Sequence, residues 1–260
     1  MLQAHSWLWH YLWVAPNIML LGLGLAIWKR RLWRQFPAFF AYALLGALSE
    51  LAVYTTDVVP SISAETFWRA IWTSLLIEGP LKFFLVGEIL SHTFGVYASL
   101  RRLASILIRV LGVVLVLAAA VAAAYPPNDS RFGIISGAHR LEQTIYLVET
   151  GLLLFIFLFS GYFKLRLSRE IFGVALGLSI SACVHLGSWA FIANGIPSER
   201  TRSLLDFLNM AVYQVCVLIW CYYLLARPRS VDVSPPPPNQ NFPHSDLGDW
   251  NREVERLMHS

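Results

Sequence analysis

Long apolar stretches constrain this chain more than any other feature of its sequence. Seven can be drawn: Leu8–Trp28, Phe36–Val59, Phe67–Ser91, Leu103–Tyr125, Leu141–Phe163, Ile171–Ala193 and Leu204–Ala226. Because an α-helix rises about 1.5 Å per residue, each stretch can cross a bilayer core roughly 30 Å thick. The sequence therefore predicts an all-α, polytopic membrane protein folded as a seven-transmembrane-helix bundle.

The composition excludes a water-soluble domain. Hydrophobic residues make up 57% of the chain and charged residues only 14%, so most of its surface must face lipid. The formal net charge is +4, but the cations lie in short runs between the apolar stretches rather than in one basic patch. We interpret these runs as topology signals and expect no nucleic-acid partner.

The distribution of Lys and Arg predicts the orientation. Cations follow the first, third, fifth and seventh stretches: Lys29, Arg30, Arg31, Arg34, Arg101, Arg102, Lys164, Arg166, Arg169, Arg227 and Arg229. The opposite side carries fewer, namely Arg69, Arg131, Arg140, Arg200 and Arg202. The cation-rich side should be cytoplasmic, which places the N-terminus outside and the C-terminus inside. Since Lys29 follows the first stretch rather than preceding it, that stretch is predicted to remain as an anchor, in a bacterial inner membrane.

The chain changes character after Arg229. We predict a transmembrane domain over 1–229, a proline-rich linker over 230–245 and a short cytoplasmic amphipathic helix over 246–260. The apolar residues of that helix recur at three- and four-residue intervals: Leu247, Trp250, Val254 and Leu257. It could lie on the inner leaflet, dock on a protein or stay frayed. Four acidic residues against two Arg favour docking, because an anionic leaflet repels a negative segment.

Ionisable residues inside apolar stretches are costly in lipid, so they indicate a site. With roughly 100° of rotation per residue, they fall on four one-sided stripes. The candidate site residues are Glu50, Asp57, Glu78, Lys82, His139, Glu142, Tyr146, Glu149, Asp206 and Asn209. Because lipid would not accept them, these stripes should face inward and line a polar cavity that opens away from the cytoplasm.

The third stretch carries the most informative stripe. Glu78, Lys82, Glu88 and His92 share one helix face, and Lys82 lies one turn after Glu78, so the two can form an ion pair. Gly79-Pro80 lies between them and predicts a local kink. The sequence leaves open whether this element is a hinge or a fixed structural lock.

Several chemical interpretations of the cavity remain open. His139 and Glu142 could share a divalent metal, but no paired-His or cysteine pattern accompanies them. A haem would need axial ligands, and His92 and His185 have no same-helix partner at the usual spacing. The cavity could instead bind a small polar or amphipathic ligand, or it could hold water and ion pairs that fix the packing. We expect no cofactor and no metal site.

The topology and the Trp250-Asn251 dipeptide carry the one family resemblance. The chain resembles uncharacterised bacterial seven-helix membrane proteins that end in an acidic amphipathic segment containing Trp-Asn, a resemblance that implies no activity. The last stretch contains no lysine for a retinal Schiff base and no paired His motif of the seven-helix zinc hydrolases.

The sequence predicts a receptor or sensor-like membrane module that signals through its tail or docks partners by it. No nucleophile and base can be placed together from spacing, so an enzyme is not expected. A small-solute or proton-coupled transporter, and a structural or accessory subunit of a larger membrane complex, are the alternatives. Lipid and a protein partner are expected, and a homo-oligomer is allowed.

Overall fold

The fold is all-helical throughout the part of the chain that the structure describes. This computed structural model describes residues 5–94, 130–162, 167–193 and 199–226, and single positions at 102, 106, 109, 110, 113, 252 and 256. Only the backbone is described over 130–141 and at 159, 162, 192, 193 and 199. The helices are α1 (Trp7–Lys29), α2 (Pro37–Ala41), α3 (Ala47–Val58), α4 (Ala64–Phe94), α5 (Ser130–Tyr162), α6 (Arg169–Ala193) and α7 (Glu199–Leu225). The prediction of an all-α chain is confirmed.

Five segments of this described part are long and apolar enough to cross a membrane. They are Trp7–Lys29, Pro37–Val58, Ala64–Phe94, Arg169–Phe191 and Arg200–Leu225. Their number and composition support an integral membrane protein in a lipid environment. The predicted fourth span, Leu103–Tyr125, and the predicted tail helix, 246–260, lie outside the described residues apart from the single positions given above.

The second span is not one regular helix, although the sequence predicts a continuous stretch. Pro37 occupies the first turn of α2, where its missing N–H costs no hydrogen bond. A π-helical turn at Tyr42–Gly46 then joins α2 to α3. Such turns widen the helix locally and are frequent at functional sites. On the neighbouring α1, a Cβ at Gly24 would lie 2.8 Å from Leu44 Cδ2, so a glycine lets the widened turn approach closely.

The helices form a closed ring in chain order. The first helix, α1, packs on the π turn and α3, and α3 packs on α4. The ring continues through α5 and α6 to α7, which returns to pack on α1. Each described helix therefore has a neighbour on both sides, and one face of each turns toward a common interior.

Two neighbouring pairs in this ring are parallel. Lys82 of α4 contacts Tyr146 of α5, and twelve residues further along α4 Phe94 contacts Phe155, with ring centroids 6.2 Å apart. Both helices therefore run in the same direction, so the end of α4 and the start of α5 lie at opposite ends of the bundle.

The other parallel pair joins the first helix to the last. Gln214 of α7 donates a hydrogen bond to Met19 of α1 at 3.2 Å, and Arg30 donates to the Leu225 carbonyl at 2.9 Å. We call the end where α1, α4 and α7 finish the Arg30 end. The opposite end, where His5 of the chain start lies 3.9 Å from an Asp57 carboxylate oxygen, is the Asp57 end.

The interior differs between the two halves of the ring. The half toward the Arg30 end is filled with buried apolar side chains, among them Phe39, Leu85, Ile89, Leu153, Ile156, Leu178 and Trp220. Trp220 is fully buried, and its indole N–H donates to the Val174 carbonyl at 3.2 Å. The buried charged side chains, Lys82 and Glu149, lie nearer the middle, whereas the half toward the Arg30 end holds only the buried hydroxyl groups of Thr93 and Ser160 among the described residues.

At the Arg30 end, two side chains of α4 form hydrogen bonds with the backbone at and just before the start of α2. Both carboxylate oxygens of Glu88 accept backbone N–H groups at the start of α2, from Ala38 and Phe39, each at 3.1 Å. His92 donates to the Gln35 carbonyl at 3.0 Å. Free N–H groups at a helix start favour a carboxylate partner. The sequence placed Glu88 and His92 on the same stripe as Lys82, whereas here they hold the connection before α2.

Two glycines allow α6 and α7 to pack with their backbones close together. Gly173 and Gly177 are spaced by one helical turn, and a Cβ at either position would collide with Tyr223 or Trp220 of α7. Small residues four apart are the usual device for close helix packing in membranes.

We expect Gly177→Ala to destabilise the fold by about 1–3 kcal/mol, because the added methyl group overpacks the Trp220 contact. The matched control is Gly187→Ala on the same helix, where a Cβ meets nothing within 4 Å. Thermal denaturation of both variants in mild detergent measures the difference. Equal stability of the two variants would contradict the packing seen here.

Candidate functional site

The centre of the candidate site is the buried ion pair of α4. Lys82 Nζ lies 3.8 Å from a Glu78 carboxylate oxygen, and only 11% and 14% of the two side chains are exposed. The spacing of four residues places both groups on one face of α4. The helix continues through Pro80 between them, so the pair is held on a continuous element.

Tyr146 of α5 completes the environment of the lysine. Lys82 Nζ donates a hydrogen bond to the Tyr146 hydroxyl at 3.3 Å and lies 4.4 Å from the centroid of its ring. An ammonium group that cannot reach water needs such partners, and an aromatic face adds a cation–π attraction. The contact therefore joins the parallel helices α4 and α5 at mid-depth.

Two hydroxyl groups connect Glu78 to a second carboxylate on α3. Ser74 Oγ lies 3.3 Å from Glu78 Oε1 and 3.4 Å from Glu50 Oε1, so it bridges α3 and α4. Ser49 donates to Glu78 Oε1 at 3.2 Å. The indole N–H of Trp13, on α1, donates to the other Glu50 oxygen at 3.3 Å. One network thus runs from α1 through α3 and α4 to α5.

Glu149 lies beside this network, one turn after Tyr146 on α5. Its side chain is buried, and together with Lys82 it lines a small cavity between α4 and α5. The other lining residues are apolar or lack a side chain: Gly79, Phe83, Val86, Ile145, Val148 and Leu152.

The structure brings five of the ten predicted site residues into one cluster. These are Glu50, Glu78, Lys82, Tyr146 and Glu149, which we call the mid-membrane cluster. Each lies on a polar stripe predicted from helical spacing. At these five residues the stripes of the second, third and fifth apolar stretches face the interior.

The other five predicted residues lie apart from the cluster or at its edge. Asp57 lies near His5 at the Asp57 end, and Asn209 accepts a hydrogen bond from Ser188 at 3.2 Å. Asp206 is exposed. Glu142 is half-buried one turn before Tyr146, with which it interacts electrostatically. The side chain of His139 lies outside the described part.

Four residues of the site escaped the sequence interpretation. Trp13, Ser49 and Ser74 are not among the predicted site residues, and His185 enters the sequence analysis only as a candidate haem ligand. His185 stacks on the Tyr146 ring, with centroids 4.3 Å apart and planes 21° apart. Ser74 carried a usable signal, because it precedes Glu78 by one turn and shares its stripe.

The chemistry of the cluster is that of a polar site in a water-poor interior. Among the described side chains, no three His, Cys, Asp or Glu residues are arranged to hold a metal ion. The cluster offers carboxylates, an ammonium group and a phenol, which can exchange protons or hydrogen-bond a small polar molecule. The predicted tail contacts Leu247, Trp250, Val254 and Leu257 lie outside the described residues.

Comparison of the chain with protein-family models, with curated proteins and with solved structures finds no match. The function is therefore argued from the site itself.

We expect Lys82→Met to destabilise the fold by about 3–5 kcal/mol, because it leaves the Glu78 carboxylate buried without its cation. The control is the double variant Glu78→Gln with Lys82→Met, which removes both charges and should recover most of the loss. Thermal denaturation in one detergent compares the wild type with the single and double variants. A Lys82→Met variant as stable as the wild type would show that the pair is not a structural contact.

Proposed function

We propose that this chain is a seven-helix membrane receptor or sensor with its N-terminus outside the cytoplasm. In this proposal the mid-membrane cluster binds a small polar ligand from the outer side. The cytoplasmic tail then passes the signal to a protein partner, in the inner membrane of a bacterium. The observation that carries the proposal is the division of the ring interior into a polar part and an apolar part.

The helix directions support the seven-span topology. Because α4 and α5 are parallel, the interval between them must return across the bundle, and the apolar stretch Leu103–Tyr125 is long enough to do so. Because α1 and α7 are also parallel, the two ends of the bundle domain lie on opposite sides. Lys29, Arg30 and Arg169 lie at the Arg30 end, which the positive-inside rule assigns to the cytoplasm.

The burial pattern supports access from one side. Below the mid-membrane cluster, toward the Arg30 end, the described interior is occupied by large apolar side chains such as Leu85, Ile156 and Trp220. A closely packed apolar layer offers no partners to a polar solute in transit. This arrangement favours a site that is filled from outside over a pathway that crosses the membrane.

A transporter differs from a sensor in one respect that can be measured. Alternating access requires that the same site become reachable from the cytoplasm in some state of the cycle. A sensor instead keeps one-sided access and changes the conformation of a cytoplasmic element. The proposed output element is the amphipathic segment 246–260, on its proline-rich tether.

The test is the accessibility of Ser74→Cys to a membrane-impermeant maleimide. The native residues Cys183, Cys216 and Cys221 are first replaced by serine, and the protein is reconstituted in vesicles of known orientation. Ser74 is buried in this structure, so labelling reports opening of the site, and we expect the cysteine at position 74 to react with reagent on the outer side only. Ser91→Cys is the matched control on the same helix, because Ser91 is exposed near the Arg30 end and should react only from inside.

Labelling at position 74 from the inner side would contradict the sensor proposal and favour a transporter. No labelling from either side, with the Ser91→Cys control reactive, would favour a structural subunit whose cluster only fixes the packing. Deleting 246–260 serves as a second comparison, since a sensor should keep the outer labelling of position 74 without its tail.

A further inference from the structure

One carboxylate oxygen of the mid-membrane cluster has no hydrogen-bond partner. Glu149 is 4% exposed, and its Oε2 atom is buried and accepts no hydrogen bond in the described part of the chain. A buried acceptor without a hydrogen-bond donor is unfavourable, and more so when it carries a charge. Within the described residues this oxygen therefore lacks a donor, and a donor bound from solution would satisfy it.

The space beside Glu149 limits the size of that donor. The cavity that it lines with Lys82 has room for about one water molecule. The rest of its lining is apolar, formed by residues such as Phe83, Val86 and Leu152. A metal cation would need several further oxygen ligands, which this lining does not supply. A proton, with or without one water molecule, needs no further oxygen ligands.

The charges of the cluster also favour the binding of a proton. Three carboxyl groups, of Glu50, Glu78 and Glu149, accompany one ammonium group, of Lys82. The titratable and charged groups that face Glu149 come from several elements: Glu78 and Lys82 of α4, Tyr146 of α5, Tyr42 of the π turn and Cys216 of α7. Lys82 is the sole cation in this set. A cluster with this excess of acidic groups in low dielectric attracts one further positive charge.

A chain of exchangeable groups leads toward Glu149 from the α3 side of the ring. Glu50 connects through the Ser74 hydroxyl to Glu78, with steps of 3.4 and 3.3 Å. Glu78 pairs with Lys82 at 3.8 Å, and Lys82 donates to Tyr146 at 3.3 Å. Carboxyl, hydroxyl and ammonium groups at such distances can relay protons.

Along α4 and α5 the chain of exchangeable groups ends at Glu149. The next residues of α5 that face the interior are Leu152, Leu153 and Ile156, all buried. On α4 the following turn carries Leu85 and Val86, also buried. These side chains offer no group that can pass a proton toward the Arg30 end.

We propose that Glu149 is a proton-binding site and that the proton is the ligand of this membrane module. The proton leaves a hydronium ion of the outer solution, an O–H bond forms at Glu149 Oε2, and the cluster gains one positive charge with no redox change. A single water molecule in the cavity links Glu149 to Lys82. This proposal rests on the outer access proposed above. It replaces the unspecified small polar ligand of that proposal with a proton.

The test is infrared difference spectroscopy of the full chain in lipid, recorded between an alkaline pH and a mildly acidic pH at which exposed carboxylates stay ionised. Acidification should produce the C=O band of a protonated carboxyl group, and Glu149→Gln should lose that band. The matched control is Glu65→Gln, at an exposed carboxylate that pairs with Arg69 at 2.6 Å, which should leave the band unchanged. Replacing choline chloride with sodium chloride should have no effect on it.

Each other outcome overturns the proposal. A wild-type spectrum without the band, or a band that persists in Glu149→Gln, removes Glu149 as the proton site. A band that sodium suppresses makes the position a sodium site. If Glu149→Gln does not fold, Glu149→Asp must shift the band in frequency, and an unshifted band is contrary to the proposal. The labelling at position 74 is measured separately, so a failure of outer access is distinguishable from a failure of proton binding.

Discussion

The contact of Lys82 with Glu78 and Tyr146 is the constraint around which the interior is arranged. An ammonium group in a lipid-embedded bundle must be paired and hydrogen-bonded, because its desolvation is unfavourable by several kcal/mol. Its partners come from α4 itself and from α5, so satisfying the lysine fixes how these parallel helices face each other. The serines and Glu50 extend the same requirement to α3, since each added carboxylate needs donors of its own.

Much of the helical architecture could be predicted from local sequence. Spans such as Leu8–Trp28 and Ile171–Ala193 agree closely with helices of the structure, because apolar length is a property of neighbouring residues. The π turn at Tyr42–Gly46 could not be predicted, since nothing in the apolar stretch Phe36–Val59 signals that one of its helical turns is wider. The helix directions also required the contacts between spans.

Part of the candidate site could also be predicted from local sequence. Helical spacing identifies Glu78, Lys82, Tyr146 and Glu149 as inward-facing, because lipid rejects ionisable groups on the outer face. Spacing cannot say which stripes meet, and it places Glu88 on the same helix face as Glu78. The structure separates them: Glu88 accepts backbone N–H groups at the start of α2, whereas Glu78 belongs to the mid-membrane cluster.

The ring of helices closes where α1 packs against α7. Arg30, directly after α1, donates to the carbonyl groups of Leu224 and Leu225, which end α7. During synthesis α1 enters the membrane well before its partner α7. Until α7 is inserted, the flank of α1 that will receive it faces lipid. The ring therefore closes only after α7 is inserted, and a chain that stops before α7 leaves an open groove beside α1.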